Sequence, residues 1–136
     1  MLARSVELKR DHLRMVEVLG DSGLAKNTAK VLTFIAVAGR TWSAQIQSGT
    51  SLRQPEVSIA LKELFERKWI SRQSVQREGK GRPIYVYRLR KDLLEIIEFV
   101  EKELDRRVRQ VQKDKEDLRS IAERLAAREP SAPNRA

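Results

Sequence analysis

The spacing of apolar positions changes character twice along the chain. From Val6 to Leu19 they fall at Val6, Leu8, Leu13, Met15, Val16, Val18 and Leu19. That spacing is untidy but helical, and Asp21-Ser22-Gly23 stops it. Asn27 can cap a second helix through Val31, Leu32, Phe34, Ile35, Val37 and Ala38, with Gly39 ending it. This is the most apolar helix, so it belongs at the centre of the core. Thr41-Trp42 is a short extended pair. Ser43 can cap a third helix over Ala44–Gly49, and Thr50-Ser51-Leu52 makes a turn. A fourth helix opens at Gln54-Pro55, because proline's missing N–H is not needed in a first turn. It covers 54–67. Val57, Ala60, Leu61 and Leu64 share one face, while Ser58, Lys62 and Glu63 lie elsewhere on the surface.

The pattern then becomes that of strands. Trp69–Val75 is one, and Ile84–Leu89, rich in β-branched and aromatic residues, is another. Residues 76–83 between them hold two glycines and a proline, which marks a hairpin tip. From Lys91 to Arg128 neither glycine nor proline occurs, and a long helix is expected. With heptad position a at Ile97, the a series is Ile97, Leu104, Val111, Leu118 and Leu125. The d series is Leu93, Val100, Arg107, Asp114 and Ile121. The seam is apolar at its ends and charged at the middle of d. Glu129-Pro130 ends the helix, and 129–136 reads as a disordered tail. The prediction is a mainly α (α+β) chain: a domain over 1–90 with a β-hairpin over 69–89, then a long helix over 91–128.

Charge sharpens this division. Residues 1–90 carry 17 Lys/Arg and 8 Asp/Glu, whereas 91–136 carry 11 of each. The whole excess of +9 sits in the first two thirds. A basic surface of this kind suits a polyanion, and the neutral, charge-dense remainder suits a solvated helix. There are no cysteines, which excludes disulfides and cysteine metal sites. No run approaches the length of a membrane span, and the N-terminus lacks an apolar signal core. A soluble, cytoplasmic, nucleoid-associated protein without membrane contact is expected.

Catalytic chemistry finds little support. His12 is the sole histidine and reads as a helix surface residue. Glu95, Glu98, Glu101, Glu103 and Asp105 are interleaved with basic residues and read as a solvated face. No nucleophile–base pair, phosphate-cradling loop or metal-ligand spacing occurs, so neither an enzyme, a metal nor a cofactor is expected. Trp42 and Trp69 read as packing residues rather than a stacking platform. Tyr85 and Tyr87 fall on one sheet face.

The element order is that of a winged helix-turn-helix. Leu52, Gln54, Pro55, Val57, Ser58, Leu61 and Leu64 resemble the recognition helix of the MarR, ArsR and TrmB-like regulators of bacteria and archaea. Glu66-Arg67-Lys68-Trp69-Ile70 resembles the start of that family's wing, and Gly79-Lys80-Gly81-Arg82-Pro83 with Tyr85 and Tyr87 resembles the wing itself. The resemblance covers residues 24–90. It departs at Ser51 and Trp69, where the family has glycine, at Arg53 in place of a capping serine, and at Gln47 in place of a small alanine. Ser51 or Gln54 is the expected replacement cap.

The resemblance implies a sequence-specific regulator of transcription that binds double-stranded DNA. Arg53, Gln54, Glu56 and Ser58 then face base edges in the major groove, where glutamine can pair with adenine and arginine with guanine. Lys62 sits over phosphate. Arg77, Lys80 and Arg82 of the wing meet the backbone or a minor groove. For Glu56 the alternative is a favourable charge at a helix N-terminus. A helix over 91–128 is about 57 Å long, more than a domain of this size covers. A second copy is the expected partner, through Leu93, Ile97, Val100, Leu104, Val111, Leu118, Ile121 and Leu125, as a coiled-coil homodimer. An antiparallel arrangement brings Arg107 near Asp114 of the partner. Repression by occupying a promoter is the simplest role. An architectural chromatin-type protein and a protein-interaction module are the alternatives. No residue set identifies an effector. Reversing Arg77, Lys80 and Arg82 to Glu is expected to abolish duplex binding in a gel-shift assay while circular dichroism stays unchanged.

Overall fold

The computed structural model describes residues 6–76, 79 and 81–128. Helices α1 (Arg10–Asp21) and α2 (Lys26–Ala38) precede a two-residue strand β1 (Thr41–Trp42). Helices α3 (Ser43–Thr50) and α4 (Gln54–Glu66) follow, then strands β2 (Ile70–Val75) and β3 (Ile84–Leu89), then α5 (Leu93–Arg128). The sheet order is β1-β3-β2, antiparallel throughout. The chain forms two compact units, Met1–Val100 and Glu101–Ala136. The first therefore runs past Arg90 into α5, where Ile96 and Val100 are buried.

Helix α2 is the centre of the core, as its composition predicts. Thr28, Ala29 and all of Val31–Ile35 are buried. Val16 and Leu19 of α1, Ile46 of α3 and the Val57, Ala60, Leu61, Leu64 stripe of α4 join them. Each large aliphatic so buried contributes about 1.5–3 kcal/mol. A polar tie crosses this core. Thr28 of α2 donates its hydroxyl to Glu63 Oε1 of α4 at 2.7 Å, and Arg67 Nε donates to Glu63 Oε2 at 3.3 Å. Glu63 is thus half-buried and engaged, not on a free surface.

Several element ends differ from expectation for local reasons. Helix α1 begins at Arg10, because the His12 ring turns back to accept the Lys9 N–H at its Nδ1, 2.9 Å away. That gives the one histidine a structural role. Helix α2 begins earlier than Asn27, with Ala25 at its N-cap. Trp42, not Ser43, is the N-cap of α3, and the Ser43 hydroxyl is used elsewhere.

Both departures from the family's glycine pattern resolve into backbone geometry. Ser51 closes α3 in the left-handed region, with φ 60°. The left-handed residue after α4 is Lys68, φ 62°, one place before Trp69. There Lys68 N–H bonds to the Phe65 carbonyl at 2.9 Å and Trp69 N–H to the Leu64 carbonyl at 3.1 Å. This is a Schellman ending with lysine in the glycine position. Trp69 can then turn inward, where it is 5% exposed, with its ring edge-on to Phe99 at 5.8 Å.

Helix α3 approaches α2 closely at Gly49. A Cβ on Gly49 would lie 2.1 Å from Phe34 Cε1. The Phe34 ring is fully buried and has nowhere to move. Replacing Gly49 by Ala is expected to cost about 1–3 kcal/mol through overpacking. Lys68→Gly is expected to stabilise by about 1 kcal/mol by relieving the left-handed strain. Urea unfolding followed by circular dichroism measures both.

Candidate nucleic-acid interface

Helix α4 has two sharply different sides. Val57, Ala60, Leu61 and Leu64 are buried, whereas Gln54, Pro55, Ser58, Ile59 and Lys62 are exposed. Each set recurs at intervals of three and four residues, which is why a helix here sorts them. The Arg53 side chain, 86% exposed, stands at the N-cap. Arg53, Gln54 and Ser58 therefore occupy the solvent side of the helix start, with Lys62 exposed one turn beyond Ser58.

The cap of α4 is not the one expected. Glu56 turns back so that its Oε1 accepts the Arg53 backbone N–H at 2.9 Å. Its carboxylate also lies 3.9 Å from Arg53 Nε, a loose and exposed pair worth little by itself. Neither Ser51 nor Gln54 caps the helix, and Glu56 is occupied in stabilising its first turn.

Gln54 instead joins α3 to α4. Its Oε1 accepts from Ser43 Oγ and from Gln47 Nε2, each at 2.8 Å. Gln47 Nε2 also reaches Ser43 Oγ at 3.2 Å. Gln54 Nε2 donates to Ser58 Oγ at 2.9 Å. A polar ladder thus fixes the angle between the two helices from their exposed side. Gln47 is larger than alanine because it is a rung of that ladder rather than a spacer. The Gln54 carbonyl already has two donors, so a bidentate pairing with adenine competes with the ladder.

The wing is a two-stranded ribbon in continuous register from Ile70↔Leu89 to Val75↔Ile84. Gly79, φ 91°, and Gly81, φ 101°, take conformations that side chains resist, so this tip requires glycine. Arg82 is exposed beside it. Arg77 and Lys80 lie outside the described residues. On the ribbon, the Arg72 guanidinium stacks 4.1 Å from the Tyr85 ring centroid and 5.5 Å from that of Phe65. Tyr85 and Tyr87 share a face, with Tyr87 buried edge-on to Phe65 at 6.0 Å.

Two features went unread in the sequence. Ile59 is 70% exposed in the middle of the polar face of α4, where a methyl-bearing side chain can meet a thymine methyl. Its signal is an apolar residue that falls off the buried stripe. Arg40, Arg72 and Arg88 border a cavity of about 280 Å³ with Ser71, Gln73 and Val86. The strand register sets Ser71 opposite Arg88, and Arg40 directly precedes β1, which pairs with β3.

The order of elements, the pairing of β1 with the β2–β3 ribbon and the exposed start of α4 define a winged helix-turn-helix. No family model matches the chain, and no curated protein matches it in sequence. Among solved structures, the chain is similar to the transcriptional regulator PA4135, with 18% identity, a TM-score of 0.49, and 90% of this chain and 88% of that one covered. It is also similar to NadR solved in complex with 4-hydroxyphenylacetate, with 14% identity, a TM-score of 0.49, and 85% and 81% covered. A third is the Multiple Antibiotic Resistance Repressor, MarR, with 17% identity, a TM-score of 0.48, and 91% and 88% covered. No described helix is long and apolar enough to cross a membrane.

Removing the Glu56 carboxylate tests the cap. Glu56→Ala is expected to lose about 1 kcal/mol of stability, while Glu56→Gln, which can still accept the Arg53 N–H, retains most of it. Chemical denaturation of the two variants measures the difference.

Proposed function

We propose that this protein is a winged-helix regulator of transcription that binds double-stranded DNA with sequence preference, as a homodimer, and represses by occupying its site. The observation that carries this reading is the exposed face of α4. Arg53, Gln54, Ser58 and Lys62 share it, and the opposite face is locked into the core. A helix so mounted fits a major groove with its first turns against base edges. The net charge of +9 supplies the attraction to phosphate. Arg82, with Arg77 and Lys80, extends the basic surface along the wing. Arg53 is the most available base-reading group, because its guanidinium is exposed while the Gln54 amide is committed to the ladder. Dimerisation through the 91–128 helix presents two such faces to two half-sites.

Ligand chemistry gives this family-like reading no effector. An open cleft of about 670 Å³ lies between α1 and α2, lined by Leu13, Val16, Leu24, Lys26 and Lys30 among others. Nothing in it selects a molecule.

Selection from a random duplex library, followed by titration of the winning sequence against salt, tests the proposal. Enrichment of one motif, bound at least about a thousandfold tighter than random duplex at fixed salt, is expected. Arg53→Ala should relax preference at one base pair at a cost of about 1–3 kcal/mol. Lys62→Ala should weaken all sequences alike and lower the salt slope by about 1. Equal binding of all sequences would favour an architectural role, and no binding at low salt would leave a protein-interaction module.

A further inference from the structure

Helix α5 from Glu101 to Arg128 carries an apolar stripe that its own chain leaves bare. Val108, Val111, Leu118, Ile121 and Leu125 are between 46% and 70% exposed, and Leu104 is half-buried. Val100, by contrast, is 6% exposed, so it is used within the first unit and the free stripe begins at Leu104. Its spacing is a mirror image about the Asp114–Lys115 bond. Leu104, Val108 and Val111 step by four and three; Leu118, Ile121 and Leu125 step by three and four.

Charge is mirrored about the same point with its sign reversed. Residues 101–105 carry a net −2 and 124–128 a net +2. Residues 106–109 carry +3 against −1 for 120–123, and 110–113 carry +1 against −1 for 116–119. A parallel, in-register pair sets each of these blocks against its own copy, like against like. An antiparallel pair centred between Asp114 and Lys115 sets every block against one of opposite sign, and apolar levels against apolar levels. Flanking charges of this kind choose partner orientation more than they add stability.

We propose that α5 pairs with α5 of a second copy in antiparallel fashion, with Asp114 of each chain level with Lys115 of the other. The proposal rests on the dimer reading above and adds its orientation and register. Leu104 then lies level with Leu125 of the second copy, Val108 with Ile121 and Val111 with Leu118. Arg107 comes level with Ala122, not with Asp114.

The chain has no cysteine, so single cysteines report this arrangement cleanly. Leu104→Cys lies at the half-buried start of the stripe and Leu125→Cys on its exposed end, and circular dichroism checks that each variant keeps its helicity. In the antiparallel pair the two Leu104 positions are about 31 Å apart along the axis. A disulfide needs Cα atoms within about 7 Å. Each variant is oxidised alone and as an equimolar mixture, with a size tag on one chain. The expected result is a mixed 104–125 disulfide formed several-fold more than either self-pair. Efficient self-pairing of L104C would overturn the proposal in favour of a parallel coil. Sedimentation showing a dimer with neither cross-link would overturn the register alone. A monomer by sedimentation would overturn both the pairing and the dimer reading.

Discussion

Everything at the candidate interface depends on the contact between the Phe34 ring and the backbone of Gly49. A fully buried phenyl leaves no room for even a methyl group at that point on α3. The helix must therefore rest with its backbone directly on α2. Two residues further on, α3 ends and Ser51 turns in the left-handed region. The turn in turn sets the start of α4. From the outer side, the Ser43–Gln47–Gln54–Ser58 ladder joins α3 in turn to α4. A tight apolar contact seats α3 on α2 and a polar ladder ties α3 to α4, so the start of α4 is held through α3 to the core.

The far end of α4 obeys a similar logic. Lys68 adopts the conformation that glycine would take at less cost, and the chain reverses there so that Trp69 is buried. Arg67 lies over the Trp69 ring, 4.9 Å from its centroid, while also holding Glu63. The strain at Lys68 is offset by these contacts.

Much of this was legible in one-dimensional pattern. The stripe of Val57, Ala60, Leu61 and Leu64 named α4 and its buried face. The apolar density of α2 named the core, and the glycines at 79 and 81 named the hairpin tip. The capping residues were not legible. Asn27 and Ser43 have good capping chemistry, but tertiary packing set the helix starts at other residues. Glu56 was readable as an N-terminal charge, yet its backward bond to Arg53 depends on a rotamer that no pattern encodes. The role of Gly49 was hidden because its neighbour, Phe34, lies on another helix. Arg40 and Arg88 were missed for the same reason, since only the folded sheet brings them to one cavity. The charged middle of the α5 seam was legible in the heptad pattern; which of its apolar residues the chain leaves exposed was not.

The central claim is that the exposed start of α4 and the wing tip are the surface that meets DNA. Titrating a duplex into isotope-labelled protein and following backbone amide shifts tests it most directly. The account predicts that the largest changes fall at Arg53, Gln54, Ser58, Ile59 and Lys62 and around Gly79–Arg82, with α1 and the last turns of α5 unmoved. Shifts confined to α5 or to the α1–α2 cleft, with α4 silent, would contradict it.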